Sequence, residues 1–511
     1  MIRRLLIGFL PFLPLMGCDV GPDYHRPLVD TPFAFTSPGA ENPSAGQSGP
    51  APFWPSSTWW QGFQSPELDT LMAEAEAQNY TIQSAIAAVS AADAAVRVAG
   101  GALLPVVSAS PSASFAQVNA GGSSRSGYSN YSSYSAAAGS TGTVTQIGQG
   151  IIDTRTYSAQ LSASYEIDFW GKNLATFRAA EASAVAARYA AQVEALTIVS
   201  EVADTWFAAL AYQDELDVAR RNLAAAETLL KVEQARLDAG TASLLDVSQQ
   251  AALVAGERAN IPDLISLERQ EVIALGILVG RPPEEIAVEP GTLVTIPSPV
   301  VVPGLPIELL QRRPDVAEAE ATLVSAVAST RAARAALFPS LTLTGSMGWE
   351  NDALNGLLAP QSLVLNAAAS AVQTLFDNGA LSGQVAENRA VAREDADAYQ
   401  EAVLQAYTDV ETALTQLHYA IQQESLERDA VQQARLAVTV STAQLQAGTV
   451  DITSLLTAQQ TLLQDENTLV TVSLARFQAL VALFKALGGG WQQTVPETAQ
   501  PVPVLNPSII P

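Results

Sequence analysis

The chain has 511 residues, 26 basic and 51 acidic side chains, a formal net charge of -25, 48% apolar and 6% aromatic residues, one Cys and two His. An acidic surplus of this size excludes a phosphate-neutralising nucleic-acid surface, and one Cys with His25 and His418 far apart excludes a zinc site or a disulfide framework. A Cys- or His-based catalytic pair has almost nothing to draw on, and the apolar content is too high for disorder.

Met1-Ile2-Arg3-Arg4 is a short basic region, and Leu5 to Met16 is an apolar run. A spanning helix needs roughly 20 apolar residues, so residues 1–17 read as a signal peptide. Leu15-Met16-Gly17-Cys18 resembles the bacterial lipobox. That resemblance implies that Cys18 is the first mature residue and carries covalent acyl (palmitate) and diacylglycerol groups, and no other cofactor is expected. Two or three acyl chains anchor firmly without a spanning helix. Asp19 directly after the Cys resembles an inner-membrane retention signal of some bacteria, so this segment is compatible with either membrane. Residues 18–65 are expected to form an acylated, extended N-terminal segment.

The next feature along the chain is an internal repeat. Gly171, Gly240 and Gly280 match Gly379, Gly448 and Gly488, each at an offset of 208. Leu104-Pro105 matches Phe338-Pro339 at 234. The extra 26 residues of the first half fall between that Pro and that Gly, and the Gly/Ser/Tyr stretch Asn119 to Thr154 is expected to be a long mobile loop. The first repeat is then 66–300: a helix, a β-hairpin at 106–170, a long helix at 172–239, a tip, and a return helix at 243–280. The second is 301–490: a helix, a β-hairpin at 340–376, a long helix at 380–447, a tip, and a return helix at 451–487. Residues 491–511 are a tail.

Lys172 to Ala239 has no Gly or Pro over 68 residues, and Gln384 to Ala447 has none over 64. Leu216, Leu223, Leu230 and Leu237 recur every seven residues, as do Val431, Val438 and Leu445. Heptads predict coiled-coil packing against neighbouring helices, and charges along the way, such as Glu201, Arg220 and Arg236, exclude burial in lipid. Gly240 and Gly448 read as left-handed helix stops, and Ser243 and Asp451 as caps of the returning helices.

Tyr157, Ala159, Leu161, Ala163, Tyr165 and Ile167 alternate with Ser158, Gln160, Ser162, Ser164, Glu166 and Asp168, and Leu341 to Trp349 alternates likewise. Such alternation suits an outer-membrane barrel or a half-buried soluble sheet. An export signal and very long helices favour the barrel. Four strands cannot close one, because open edges in lipid leave backbone groups unpaired. Three copies give twelve strands. The fold class expected is an α+β membrane protein: two structural repeats forming one third of a trimeric 12-stranded outer-membrane β-barrel, continued by a long α-helical periplasmic barrel.

Trp59-Trp60-Gln61-Gly62-Phe63, Tyr165-Glu166-Ile167-Asp168-Phe169-Trp170-Gly171, Leu309-Leu310-Gln311-Arg312-Arg313-Pro314-Asp315-Val316, Phe338-Pro339-Ser340-Leu341 and Leu487-Gly488-Gly489-Gly490-Trp491 resemble the TolC-like outer-membrane efflux proteins. Val20-Gly21-Pro22-Asp23-Tyr24 resembles their lipoprotein (OprM- or NodT-like) branch. The resemblance implies a trimeric duct in the outer membrane, lipid-anchored and extending into the periplasm. It works there with a periplasmic adaptor and an inner-membrane pump of the RND type, which exports small toxic solutes and supplies the energy. Adaptor-contacting tips map to Gly240, Thr241, Ser243, Leu244, Gly448, Thr449, Asp451 and Ile452. The family's acidic constriction falls on Ser454 and Thr457, so a gate of Asp246 and Asp451 with Leu455 and Leu456 is expected instead. Arg312, Arg313 and Asp315 read as a structural cap and ion-pair set, and His418 as packed or solvated. No enzyme is expected, because no nucleophile-base or metal set converges. The duct of a type I protein secretion system and a non-pore, lipid-anchored coiled-coil scaffold are the alternative readings.

Overall fold

The computed structural model describes residues 21, 23–29, 35–37, 56–119, 151–299, 301, 309 and 312–491. Cys18, Asp19 and residues 120–150 of the expected loop lie outside them. The chain divides into two compact units: residues 1–22, 97–177 and 329–386, and residues 23–96, 178–328 and 387–511.

The first unit is built on a four-stranded antiparallel sheet in the order β1-β2-β3-β4, with β1 at Val106–Asn119, β2 at Ile151–Ile167, β3 at Ser340–Asn351 and β4 at Leu363–Val372. The register pairs Val106 with Ser164, Tyr157 with Asn351, and Ser340 with Val372. The expected loop is too long: Asn119 pairs with Ile151, so Asn119 and Ile151–Thr154 belong to strands. The β-prone pair Ile151-Ile152 continues the ladder across the hairpin. Cross-strand pairs hold the sheet together. Ser108 and Ser112 share hydroxyl hydrogen bonds of 2.8 Å with Ser162 and Ser158, and Phe115 meets Tyr157 edge-on at 5.8 Å. Val106, Val107, Leu161, Leu343, Met347 and Leu365 are exposed.

Each hairpin hands over to a long helix through an aspartate. The Asp168 Oδ2 accepts the Leu174 N–H at 2.7 Å and so caps α3 (Lys172–Asp238). The Asp377 Oδ2 accepts the Leu381 N–H at 2.7 Å and caps α6 (Ala380–Gln446). The Leu381 N–H, with other backbone donors, holds the Asp377 carboxyl below its ordinary range. Beside the first handover the Trp170 ring stacks on Phe338 at 4.7 Å and its Nε1–H donates to the Pro339 carbonyl at 2.9 Å.

The second unit is helical. It takes in α1 (Pro66–Gln78), α4 (Leu244–Val279), α7 (Ile452–Ala486) and most of α2 (Tyr80–Gly101), α3, α5 (Pro314–Ala335) and α6. Helices α3 and α6 each run 67 residues, on the order of 100 Å at ~1.5 Å per residue. Buried Asn79 separates α1 from α2: its Oδ1 accepts the Thr81 and Ile82 N–H groups, and its Nδ2 donates to the Leu278 carbonyl. Of the heptad positions, Leu216, Val431 and Leu445 are buried, while Leu223, Leu230, Leu237 and Val438 are half-buried. One core gathers Trp59, Phe63, Phe207, Phe477 and Phe484, with Phe207 stacked on Phe477 at 4.7 Å. A second gathers Phe35, Leu309, Val316, Tyr399, Val403 and Leu487. Each fully buried side chain of this size contributes about 1.5–3 kcal/mol.

Charge is divided as sharply as structure. The sheet unit has 8 basic and 7 acidic side chains, a formal +1, and the helical unit has 18 and 44, a formal -26.

The six glycines of the sequence repeat all take left-handed backbone, with φ of +76° and +85° at Gly171 and Gly379, +76° and +73° at Gly240 and Gly448, and +75° and +86° at Gly280 and Gly488. Their surroundings differ. A Cβ at Gly240 meets open space, whereas one at Gly488 runs into the Arg312 carbonyl. Gly240→Ala is therefore expected to cost about 1–2 kcal/mol from backbone conformation alone. Gly488→Ala is expected to cost clearly more in thermal unfolding, and equal losses would contradict the packing described.

Candidate functional site

The two hairpin tips are built by the same local chemistry. In the first, the Gly240 N–H donates to the Leu237 carbonyl at 2.9 Å and the Thr241 N–H to the Arg236 carbonyl at 2.8 Å. In the second, the Gly448 N–H donates to Leu445 and the Thr449 N–H to Gln444, both at 3.0 Å. Each is the paired C-terminal closure that a left-handed glycine permits. Ser243 starts α4 with a capping box: its Oγ accepts the Asp246 N–H at 3.2 Å, and its own N–H donates to the Asp246 Oδ2 at 2.8 Å. Asp451 starts α7, its Oδ1 accepting the Ser454 N–H at 3.2 Å.

These contacts redistribute the expected site residues. Gly240, Thr241, Ser243, Gly448, Thr449, Asp451, Ser454 and Thr457 are exposed, and Asp246 is half-buried. Leu244 is 69% exposed, and its neighbour Leu245, which the sequence reading passed over, is 64% exposed. Two successive leucines at a helix start cannot both face one partner helix, and that was the available signal. Two expectations are corrected. Ile452, 208 residues after Leu244, is 3% exposed, and Leu455 is 1% exposed. Both pack with Leu445 and Leu456 in a small apolar cluster, against Leu229 and Leu253 of the other hairpin. Neither Ile452 as a partner contact nor the Leu455-Leu456 pair as a constriction fits that burial, because core packing already uses their surface. The carboxylates of Asp246 and Asp451 are likewise engaged in holding helix starts.

Far from the tips, Arg313 ties three helices together. It is 8% exposed. Its guanidinium grips Asp315 with Nε at 3.0 Å and Nη2 at 2.6 Å, reaches Asp409 of α6 at 2.8 Å, and donates Nη1 to the Ala486 carbonyl of α7 at 3.2 Å. Burial works against this cation, but Asp315 and Asp409 outweigh it and hold Arg313 above its ordinary value. The N-terminal segment is fastened by two acids that the sequence reading did not single out. Glu320 takes the Tyr24 hydroxyl at 2.9 Å and Arg26 at 2.6 Å. Glu411 takes the backbone N–H groups of Thr36 at 2.6 Å and Ser37 at 2.9 Å. On α3, burial first and Glu201 second push the Asp204 carboxyl up to about 7, with Lys485 opposing. His418 is exposed and meets Tyr419 edge-on. No group of three or more His, Cys, Asp or Glu side chains is placed to hold a metal ion among the described residues.

A sheet whose edge strands β1 and β4 have no further partner strand among the described residues, continued by two 67-residue helices through capped turns, narrows the comparison with known proteins. The profile of the "Outer membrane efflux protein" family matches residues 71–281 and 305–489. The chain belongs to this family. It is 36% identical over 437 residues to the "Pyoverdine export outer membrane protein OpmQ" of Pseudomonas aeruginosa, covering 85% of this chain and 87% of that one. It is 32% identical over 493 residues to the protein of the same name from Pseudomonas putida, covering 95% and 97%. Among solved structures, the outer-membrane channel OprN superposes with a TM-score of 0.81 at 24% identity, over 93% of this chain and all of that one. The Campylobacter jejuni CmeC outer membrane channel gives 0.81 at 19%, over 93% and 96%. The fold is that of the TolC-like outer-membrane channels, and the family places the chain in the outer membrane, extending into the periplasm, as an efflux duct.

Removing the Arg313 guanidinium leaves two carboxylates facing each other without their counter-ion. Arg313→Ala is expected to cost about 3 kcal/mol in thermal unfolding. Arg313→Lys should restore less than half, since one ammonium cannot span two carboxylates and a carbonyl. Full rescue by Lys would contradict the bidentate arrangement.

Proposed function

We propose that this chain is one protomer of a trimeric channel whose twelve strands close a barrel, each protomer giving four strands and two helical hairpins. The observation that carries the reading is the sheet itself: among the described residues β1 and β4 each have one side without a partner strand, and neighbouring copies supply the missing partners. In this reading Cys18 carries the acyl and diacylglycerol groups. The exposed tip residues Gly240, Thr241, Ser243, Leu244, Gly448, Thr449 and Asp451 meet a periplasmic adaptor. An inner-membrane RND-type pump supplies solute and energy. The two repeats, 66–300 and 301–490, act as equivalent wall segments.

The substrate class proposed is a small secreted solute. The name of the Pseudomonas aeruginosa relative, a pyoverdine exporter, makes a siderophore of that kind the first to test. A deletion strain of the host should retain such a siderophore or become sensitive to toxic solutes, and the full-length gene should reverse both. Unchanged secretion and unchanged sensitivity across drugs, solvents and metals would overturn the efflux assignment for this chain. A deletion that impaired only protein secretion would favour the type I reading.

The constriction proposed for this channel is polar: Asp246, Asp451, Ser454 and Thr457, without Leu455. Replacing both Asp246 and Asp451 by Ala should raise single-channel conductance in planar bilayers. It should also cost about 1 kcal/mol of stability per lost cap. The stability loss without a conductance change would leave the aspartates as caps alone.

A further inference from the structure

Between α3, α4, α6 and α7 lies a partly enclosed cavity of about 60 Å³, lined by Asn222, Ala226, Leu253, Glu257, Val438 and Gln459 among others. Its polar content is one-sided. Glu257 is 6% exposed, and its Oε2 has no hydrogen-bond partner. The Gln459 Oε1 has none either. Gln250, one heptad before Glu257 on α4, is fully buried. It donates Nε2 to the carbonyl of cavity-lining Ala226 at 2.9 Å, which leaves its own Oε1 unpartnered. Glu257 of α4 and Gln459 of α7 thus line one cavity, each with an acceptor oxygen that has no partner among the described residues. A buried acceptor without a donor is costly, and an ionised carboxylate there costs far more.

We propose that Glu257 binds a proton at neutral pH and donates it to the amide oxygen of Gln459, pinning α4 of one hairpin to α7 of the other. The proton comes from solvent and returns to it on ionisation. One proton turns Glu257 into a donor toward an unpartnered acceptor and removes a charge that burial makes costly. Burial also raises the Glu257 carboxyl above its ordinary range, in the direction the geometry demands.

The surrounding charges are occupied elsewhere. The other residues lining the cavity have no titratable side chain. Next to Glu257 on α4, Arg258 donates to Glu227 of α3 at 2.5 Å. On the α6 and α7 side Arg435 grips Glu466 at 2.6 Å, and Glu466 also accepts from Asn222 of α3. Asp465 of α7 is half-buried beside Glu466. Because the Glu257 value is raised in the folded state, its contribution to stability is complete below the ordinary glutamate range. It is lost as pH rises through the raised value. The tie between the hairpins is therefore strongest in acid and slackens in alkali.

The test uses the full chain purified in detergent, in an Asp204→Asn background that removes the carboxyl raised to about 7; Glu76, Asp214, Glu215, Glu271, Glu318 and Asp395 are raised as well, so Glu257 is read by difference. At pH 7 the infrared band of a protonated carboxyl should be stronger in this parent than in its Glu257→Gln variant, and the difference should titrate away at higher pH. Between pH 5.5 and 9 the melting temperature should fall by about 2–4 °C relative to Glu257→Gln. Gln459→Leu should shrink that difference. A pH-independent difference in melting temperature, or an equal protonated-carboxyl band at pH 7 with and without Glu257, overturns the proposal; Glu257→Met replaces Glu257→Gln if that variant fails to fold. Stabilisation at pH 8.5 by sodium or potassium over choline, lost in Glu257→Gln, also overturns it, because a metal ion would then fill the site.

Discussion

The requirement that every backbone amide and carbonyl in hydrocarbon find a hydrogen-bond partner governs this molecule. Four antiparallel strands satisfy it internally at three junctions and leave it unmet along β1 and β4. A soluble protein can blunt such edges with charge or cover them with a helix. Here several apolar side chains of the sheet, among them Val106, Leu161, Leu343 and Leu365, are exposed in the single chain. Assembly with further copies is the remaining physical solution, and it is the premise of the proposed channel. The helices follow from the same logic, since long alanine-rich helices have little side-chain volume of their own and gain stability by packing on neighbours.

Within this frame the two halves share punctuation and differ in content. Their glycines take the same backbone conformation, and their caps come from Ser243 and Asp451 in equivalent positions. The side chain that follows each cap faces opposite ways, outward at Leu244 and inward at Ile452. A partner meeting both tips thus finds an apolar knob on the first and a polar, hydroxyl-rich surface on the second. In the proposed channel, equivalence of backbone would give the wall its regularity, and difference in side chains would give the tips distinguishable contact points.

The features most legible in the sequence were those set by backbone chemistry. Glycines at a constant offset, Pro105 and Pro339 before strands, and Gly-free and Pro-free runs each report a local conformation that few residues allow. Strand alternation located β2 and β3 but stopped short at Thr156, because pairing with β1 extends β2 back to Ile151. What stayed hidden depends on contacts between residues far apart in the chain. Nothing local marks Glu320 or Glu411 as the acids that fasten the N-terminal segment, and both look like solvated helix charges. Leu455 looked like a gate because its sequence neighbours did, while the second hairpin's own core decides its burial. The Glu257 cavity is invisible for the same reason: its four walls come from four helices.

The equal lengths of α3 and α6 set a rule for how such a protein can change. Each residue added to a helix rotates everything beyond it by about 100° and advances it by about 1.5 Å. An insertion in one half alone would turn Leu229 and Leu253 away from the cluster of Leu445, Ile452, Leu455 and Leu456. Heptad-sized steps made in both halves together leave those contacts standing. The duplicated chain is therefore a paired ruler, and descendants with a longer or shorter reach should differ from it by matched multiples rather than by single residues.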